Sequence, residues 1–241
     1  ALAEQTANGL TGESQGKAFV HGLVQVLVSG LIYPPLTSQP PPSTSPPFGP
    51  AHARFNAVRV PTSPADVPLA YEPEKHHHIV VLSNDQYFKV DTKGRSASDL
   101  VKAFEQIKKL SADKPGSGVG VLTADDRDVW TEVSVKRHSH SHSTDSPGPK
   151  NLLSISNKNV QGVQDIESAI LLVCLDNDPA PATEDARAWA YWAGGHDRTG
   201  KGKGFNRWFD KHEIIVDSNG ESGFNGERES GSRFLDERGI R

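Results

Sequence analysis

Apolar residues recur at helical spacing in two stretches of the chain. In the first, residues 18–33, they predict a helix with one apolar face, formed by Phe19, Leu23, Val26 and Leu27. The second stretch is SDLVKAFEQIKKL, which starts at Ser98 and opens with a serine and an aspartate, both suited to an N-cap. It predicts a second helix, whose apolar face comprises Leu100, Val101, Phe104, Ile107 and Leu110.

Three other stretches favour β-strands. The segment HHHIVVLSNDQYFKVD, residues 76–91, is rich in β-branched and aromatic side chains and predicts a strand that forms one half of a hairpin. VGVLTADD, residues 119–126, predicts a short apolar strand, and the segment with Arg127 and Trp130 that follows is compatible with a helix. The continuous apolar run in ESAILLVCLD, residues 167–176, predicts a strand covered on both faces.

The last part of this pattern combines a helical signal with a hairpin signal. EDARAWAYWAGG, residues 184–195, favours a helical turn before a glycine-rich loop. NRWFDKHEIIVDSNGESGFNGE, residues 206–227, predicts two short strands around a turn at Asn219 and Gly220. Together these elements predict an α/β fold with a mixed, largely antiparallel sheet and helices.

Two stretches without apolar periodicity separate the predicted elements. Residues 34–50 are dense in proline, which removes backbone donors and restricts backbone angles, so we predict a linker or surface loop. The alternative is a docking segment for a domain that recognises proline-rich peptides. KRHSHSHSTDSPGPK, residues 136–150, predicts a mobile loop.

The overall charge and hydrophobicity exclude two classes of partner. A net charge of -4 and a pI near 6.2 provide no basic field for a polyanion, so we expect no nucleic acid partner. The longest apolar run, residues 19–33, contains His21 and Gln25 and is shorter than the ~20 residues that a membrane-spanning helix needs. The single cysteine, Cys174, cannot form an internal disulfide, and its setting in LLVCLD predicts a buried thiol.

Histidines form two clusters that could offer imidazoles to a transition metal. In the first, His76, His77 and His78 are consecutive, and consecutive strand residues point to opposite faces. The second cluster, which comprises His138, His140 and His142, lies in a predicted loop without fixed geometry. We therefore expect no dedicated metal site.

The glycine-rich segment GGHDRTGKGKGFNRWFDK, residues 194–211, has the composition of a phosphate-binding loop. The spacing GxxxxGK[ST] after a strand is absent from it, so a P-loop is not predicted. No GxSxG nucleophile elbow between a predicted strand and a helix stands out either. Residue chemistry by itself therefore predicts only an α/β domain.

Five separated blocks, in the correct order, resemble the carnitine/choline acyltransferase family. NRWFDK, residues 206–211, is the most diagnostic of them, and IESAILLVCLD is similar to the family's buried strand. Three further blocks match. One is an Arg-x-Pro segment, with Arg59 and Pro61, and another is a strand with paired aromatics, Tyr87 and Phe88. The third is the pattern G-x-L-T-x-x-x-R-x-x-W, supplied by Gly120, Leu122, Thr123, Arg127 and Trp130. The ending Phe-Asn-Gly-Glu and the insertion rich in serine and histidine look most like fungal carnitine O-acetyltransferases.

The resemblance implies an acyltransferase of fatty acid metabolism that moves an acetyl or short acyl group between CoA and carnitine. CoA or acyl-CoA and carnitine would be substrates, with no bound cofactor, and the compartment would be mitochondrial, peroxisomal or cytoplasmic. A histidine removes the proton of the carnitine hydroxyl, and the oxygen attacks the thioester without an acyl-enzyme. The family fold implies two similar α/β domains, of which this chain would supply the first and lack the second.

The family places its catalytic histidine directly after the glutamate that corresponds to Glu227, and this chain has Arg228 there. A guanidinium stays protonated at physiological pH, so Arg228 is not expected to act as a base. The residue four positions further on is Ser232 instead of an acid. His196 and His212 are nearby alternatives, but the first lies in a predicted loop and the second next to a strand.

These observations divide the chain into five parts: an N-terminal extension (1–17), a helical segment (18–33), a proline-rich linker (34–50), a partial acyltransferase domain (51–227) and a divergent charged tail (228–241). Three hypotheses about function follow. The chain is an inactive or incomplete acyltransferase, a pseudoenzyme that binds CoA, carnitine or a full-length homologue, or a product of gene misprediction without its own function.

Overall fold

A computed structural model describes residues 55–134, 156–194 and 206–227. The predicted helix at 18–33, the proline-rich linker, the loop at 136–150 with its three histidines, and the charged tail all lie outside these residues. The division of the chain into five parts therefore stays a prediction.

The described residues form seven strands, four α-helices and one 3₁₀ helix. The strands are β1 (Ala57–Val60), β2 (Val67–Ala70), β3 (His78–Ser83), β4 (Gln86–Asp91), β5 (Leu172–Leu175), β6 (Glu213–Val216) and β7 (Ser222–Asn225). The helices are α1 (Ala97–Ser111), α2 (Arg127–Ser134), α3 (Asn157–Ser168) and α4 (Glu184–Ala193), and the 3₁₀ helix spans Val119–Ala124.

Five strands form one mixed sheet in the order β4-β3-β5-β6-β7, and β1 and β2 form a separate antiparallel pair. The central pairs, β3 with β5 and β5 with β6, are parallel. The outer pairs, β3 with β4 and β6 with β7, are antiparallel hairpins. The predicted α/β fold with a mixed sheet is confirmed: among the described ladders, three are antiparallel and the two in the centre are parallel.

Two apolar cores cover the two faces of this sheet, because neighbouring side chains in a strand point to opposite sides. On one face, Leu100, Phe104 and Ile107 of α1 pack against the strands. On the other, residues from α2, α3 and α4 pack around Trp208. All four residues of β5 are buried, so the prediction of a strand covered on both faces is confirmed.

Helix α1 confirms the predicted helix but begins slightly earlier than expected. Ser96, not Ser98 or Asp99, is the N-cap, and its side chain accepts a hydrogen bond from the Asp99 backbone N–H. The Asp99 carboxylate accepts a hydrogen bond from the Ser96 backbone N–H in return, which completes a capping box.

The stretch at 76–91 contains a whole hairpin, whereas one half of a hairpin was expected. Strands β3 and β4 pair in register, with Ser83 opposite Gln86. The two residues between them, Asn84 and Asp85, both have positive φ, at 51° and 61°. Asparagine and aspartate tolerate this left-handed backbone, which two-residue hairpin turns of type I′ require.

The predicted strand at 119–126 is wrong, because these residues form the 3₁₀ helix. Gly118 has a φ of 66° and starts the turn, and the Val121 N–H donates to the Gly118 carbonyl. Gly120 and Thr123, three residues apart, are the buried positions. This spacing of three belongs to a 3₁₀ helix and not to a strand. Helix α2 follows directly, as the residues around Arg127 and Trp130 suggested.

Several elements exceed what the sequence pattern indicated. Helix α4 has ten residues rather than a single turn, with Thr183 as N-cap and Gly194, at φ 64°, ending it. Helix α3 and the β1–β2 hairpin had no predicted counterpart. The hairpin predicted at Asn219 and Gly220 is confirmed by the pairing of β6 with β7. No helix within the described ranges is long and apolar enough to cross a bilayer.

Candidate functional site

The segment Asn206–Lys211 enters β6, and its first charged side chain is bound to the carboxyl end of β5. Arg207 is 1% exposed and donates to both carboxylate oxygens of Asp176, at 2.8 Å each. Asn206 Nδ2 donates to the same carboxylate at 2.9 Å. A two-pronged arginine–carboxylate contact fixes orientation as well as distance, so it holds this segment against β5.

Trp208 places the segment in the core on the second face of the sheet. Its indole ring meets Tyr87 and Trp130 edge to face, with centroids 6.1 and 5.7 Å apart. Such pairs add ~1 kcal/mol beyond the buried area. The indole N–H is buried and has no hydrogen-bond acceptor among the described residues.

Asp210 is the centre of a buried charge network. It is 1% exposed and accepts hydrogen bonds from Arg127 Nη1 at 2.7 Å, Trp130 Nε1 at 2.7 Å and Arg59 Nη2 at 3.3 Å. Burial raises the pKa of Asp210, while Arg127, Trp130 and Arg59 act in the opposite direction. Asp66 pairs with both arginines, at 2.9 Å to Arg127 and 3.4 Å to Arg59.

Lys211 is buried beside this network and connects the β1–β2 hairpin to α3. Its Nζ donates to the Ala57 carbonyl at 2.8 Å and the Glu167 carbonyl at 3.0 Å. Burial lowers the pKa of Lys211 to about 7, against the opposing charge of Glu167. Lys211 therefore links the β1–β2 hairpin to α3 through two buried hydrogen bonds.

Glu213 at the start of β6 is a second buried titratable group. It accepts hydrogen bonds from the Trp208 backbone N–H, from Asn225 Nδ2 at 3.3 Å and from the Cys174 thiol at 3.7 Å. Burial raises the pKa of Glu213 to about 7, although Arg207 acts against this. Cys174 is buried, as predicted, and desolvation raises the pKa of its thiol well above the ordinary value. A thiol in this setting is not a nucleophile.

Strand β7 runs antiparallel to β6, so the chain returns to the amino end of β6 at Glu227. There the Glu227 backbone N–H donates to His212 Nδ1 at 3.0 Å. The Glu227 carboxylate faces Arg59 Nε at 3.6 Å. Because Arg59 also binds Asp210, the charge network and Glu227 form one site at the amino end of β6.

The predicted site residues fall on both sides of the described boundary. Arg228, which the resemblance predicts to stand at the family's base position, and His196 both lie outside the described residues. His212 is described, and its Nδ1 lone pair already accepts the Glu227 N–H. Burial lowers the pKa of His212, with Lys211 acting in the same direction and Glu227 opposing.

The rings of His76 and His78 lie edge to face with centroids 6.4 Å apart, and each ring also has another partner. His78 Nε2 lies 2.7 Å from the Asp165 carbonyl oxygen. The His76 ring meets the Tyr71 ring edge to face at 5.3 Å. In the described part of the chain, no group of three or more histidine, cysteine, aspartate or glutamate side chains has an arrangement suited to a metal ion.

The sequence had placed Arg59, Arg127 and NRWFDK in separate blocks without a reason for their association. The structure brings them together around Asp210. Arg59 lies 151 positions away from Asp210 in the chain, and Arg127 lies 83 positions away. Charged residues in different predicted elements provide no local signal that they pair. Only the fact that all three blocks occur together in one family could have suggested that Arg59, Arg127 and Asp210 are in contact.

The fold and this network are those of an α/β domain with a buried ionic site at one end of the strands of its sheet. The profile described as Choline/Carnitine o-acyltransferase matches residues 50–231. The chain belongs to the choline/carnitine O-acyltransferase family, and the predicted resemblance is confirmed.

Individual relatives agree with this assignment at low identity. Choline O-acetyltransferase from Danio rerio is 28% identical over 181 residues, which are 69% of this chain and 25% of that protein. The mitochondrial carnitine O-acetyltransferase of Saccharomyces cerevisiae is 24% identical over 181 residues, 70% of this chain and 23% of the relative. A highly reducing polyketide synthase from Aspergillus luteorubrus is 28% identical over 176 residues, 70% of this chain and 5% of its own length. The chain spans about a quarter or less of these relatives.

Proposed function

We propose that this chain is a non-catalytic member of the carnitine O-acetyltransferase group, in which the scaffold around the catalytic position is kept and the base is replaced. The observation that supports this most directly is the contrast between Glu227 and the residue after it. Glu227 is held by His212 and Arg59, and the next residue, which the family reserves for an imidazole, is Arg228.

The reason lies in the proton transfer that the reaction needs. An imidazole at this position takes the proton of the carnitine hydroxyl, whose oxygen then attacks the thioester carbonyl; the carbon–sulfur bond breaks and CoA leaves as the thiol. Imidazole suits this step because its pKa lies near the working pH. The guanidinium of Arg228 has no free lone pair and does not lose its proton, so it cannot accept one.

No nearby described group replaces that base. His212 is the closest histidine along the described chain, but its Nδ1 accepts the Glu227 N–H. Lys211 has its pKa lowered to about 7, yet it is 1% exposed and its Nζ donates to two backbone carbonyls. A general base must reach the substrate proton, so neither group suits the role.

The test is release of CoA from acetyl-CoA in the presence of carnitine. We expect the wild-type chain to remain at the rate of the uncatalysed control. The variant Arg228→His tests whether an imidazole is sufficient in this scaffold, and Arg228→Gln is its matched neutral control. Turnover by the wild-type chain clearly above Arg228→Gln would refute the proposal.

Carnitine is the proposed acyl acceptor, but choline must be tested beside it. Carnitine O-acetyltransferases from Saccharomyces cerevisiae and Columba livia are 24% and 29% identical to this chain, and a choline O-acetyltransferase is 28% identical. Because these sequence identities are similar, they do not indicate whether carnitine or choline is the acyl acceptor. Parallel assays with carnitine and choline on the Arg228→His variant distinguish them directly.

A second candidate function is binding without turnover, to CoA, to carnitine or to a full-length homologue. It is favoured by the completeness of the charge network, in which Asp210, Arg59 and Arg127 pair although the base is absent. Isothermal titration with CoA, acetyl-CoA and carnitine, and co-purification with a full-length carnitine O-acetyltransferase, test this function. Absence of binding in all four experiments would exclude it.

A further inference from the structure

Two asparagines among the described residues are followed directly by glycine, and their surroundings differ. Asn219 and Gly220 lie in the loop 217–221 between β6 and β7. Asn225 is the last residue of β7, and Gly226 follows it. The same pair of residue types therefore occurs once in a turn and once at the end of a paired strand.

An asparagine that precedes a glycine can lose its side-chain ammonia without an enzyme. The backbone nitrogen of the glycine attacks the asparagine Cγ, so a bond forms between these two atoms while the bond from Cγ to Nδ2 breaks. The proton of the attacking nitrogen passes to Nδ2, which leaves as ammonia. Water then opens the resulting cyclic imide at either of its carbonyls and gives aspartate or isoaspartate. Glycine favours the attack because it has no Cβ beside the reacting nitrogen.

The side-chain carbonyl of Asn219 already faces a hydrogen-bond donor. The Ala180 backbone N–H donates to Asn219 Oδ1 at 3.2 Å. Since this oxygen gains negative charge as the nitrogen adds to Cγ, a donor in this place stabilises the attack. The Gly220 N–H donates to the Asp217 carbonyl at 2.9 Å, and this bond must open before the nitrogen can react. The reaction at Asn219 therefore requires the opening of one turn.

The side chain of Asn225 is held by the strand next to it. Asn225 lies opposite Glu213 in the ladder of β6 and β7. Its Nδ2, the group that would leave, donates to Glu213 Oε2 at 3.3 Å, and Glu213 is fully buried. A side chain in a strand stands roughly perpendicular to the sheet, so it points away from the backbone nitrogen that follows it. The Gly226 nitrogen therefore reaches Cγ only after this end of β7 has separated from β6.

We propose that Asn219 is a site of spontaneous deamidation in the folded protein, that Asn225 is protected from the same reaction, and that the product releases Ala180 from the loop 217–221. Isoaspartate carries the main chain through the former side-chain carbon, which lengthens the loop by one methylene and displaces the acceptor of the Ala180 N–H. The new carboxylate also lies in a loop that contains Asp217 and Glu221. Like charges in one loop repel each other, which opposes its closure.

Peptide mapping of the full chain after incubation at pH 7.5 and 37 °C tests the choice of site. Trypsin cleaves after Lys211, so one peptide contains both asparagines, and its fragment ions assign the gain in mass to Asn219 or Asn225. In the folded chain Asn219 should react at least about tenfold faster than Asn225, because loops open at much lower free energy than paired strands.

Concentrated urea provides the reference, since it removes the fold and leaves the sequence unchanged. There the two asparagines should react within about threefold of each other, because both precede glycine and no strand protects Asn225. Asn219→Gln is the assignment control. Its longer side chain would have to form a larger ring, so the fast product of the folded chain should disappear in this variant.

Hydrogen exchange of the Ala180 amide tests the consequence. The fraction that contains isoaspartate at position 219 should lose about fivefold of the protection of this amide, which corresponds to one net hydrogen bond. The matched control is Asn219→Asp, which has the charge of the product and the chain length of the native loop. Because its carboxylate can still accept from Ala180, this variant should keep the protection within about twofold of wild type.

Reaction at Asn225 as fast as at Asn219 in the folded chain would overturn the inference, and so would equal slowing of both asparagines relative to urea. Unchanged protection of the Ala180 amide in the isoaspartate fraction would overturn the proposed consequence. Neither measurement involves acetyl transfer, so an active wild-type chain would refute the proposed function and leave this result standing.

Discussion

Replacing Glu213 by glutamine should change how the stability of this protein depends on pH. Glu213 is fully buried at the start of β6, and its carboxyl group contacts the Trp208 N–H, Asn225 and Cys174. Glutamine has the same shape and resembles the protonated acid. Its oxygen can still accept from Trp208, and the Asn225 amide can turn to offer its oxygen to the new N–H.

The magnitude follows from the pKa of Glu213, which burial raises from 4.5 to about 7 in the folded protein. In the pH range between these values the folded protein holds a proton that the unfolded chain has lost. The stabilisation from the neutral acid is therefore complete below pH 4.5 and is lost as the pH rises to about 7. Since one pH unit corresponds to about 1.4 kcal/mol, the total change is about 3 kcal/mol.

Urea unfolding followed by tryptophan fluorescence measures this change, because Trp208 and Trp130 are buried in the same core. The free energy of unfolding should be compared between wild type and Glu213→Gln at pH 5, 6, 7 and 8. Wild type should lose about 3 kcal/mol relative to the variant across this range. Glu132→Gln, at an exposed position in α2, is the matched control.

A difference between wild type and Glu213→Gln that stays constant within about 0.5 kcal/mol from pH 5 to 8 would refute this reasoning. It would mean that Glu213 is ionised in the folded protein throughout. The nearby charge of Arg207 would then outweigh the cost of burying the carboxylate.

Two further predictions concern packing and the charge network. A Cβ at Gly116 would lie 1.8 Å from the Asp85 backbone oxygen, so Gly116→Ala should destabilise the fold by about 2 kcal/mol or more. A Cβ at Gly162 in α3 would have no atom within 4 Å, so Gly162→Ala should stabilise the fold by about 0.5–1 kcal/mol. Thermal unfolding of both variants measures this, and equal effects would contradict the predicted clash. Asp210→Asn should lower the free energy of unfolding by about 3 kcal/mol, because two guanidinium groups lose their shared buried carboxylate. Urea unfolding measures this change, with Asp178→Asn at an exposed position as the control. A loss of stability under about 1 kcal/mol would show that solvent replaces the carboxylate.

The hexapeptide NRWFDK, which identifies the family most strongly in the sequence, has a structural role in the described contacts. Arg207, Asp210 and Lys211 each bind other parts of this chain. Their partners lie directly after β5, in the β1–β2 hairpin, in α2 and in α3. The hexapeptide thus runs from the carboxyl end of β5, where Arg207 is bound, to the amino end of β6, where Glu227 lies.

Local sequence patterns correctly predicted elements whose burial or turn is encoded by neighbouring residues in the chain. The apolar run of β5 matches a strand buried on both faces, and the turn at Asn219 and Gly220 matches its hairpin. The same reasoning was wrong at Val119–Ala124, where a short apolar run suits both a strand and a 3₁₀ turn. There Gly118 and the Thr123 hydroxyl, which donates to the Gly120 carbonyl, favour the turn.

The sequence by itself determined the family and the α/β class, because both depend on residue identity and spacing along the chain; that Arg228 occupies the position of the base stays a prediction. Only the tertiary structure decided that Arg59 and Arg127 share Asp210, that Lys211 and Glu213 are buried, and that His212 accepts the Glu227 N–H. The physical reason is that pairing and desolvation depend on distances between residues far apart in the chain. A charged residue has the same letter in the sequence whether its partner is water or a buried carboxylate.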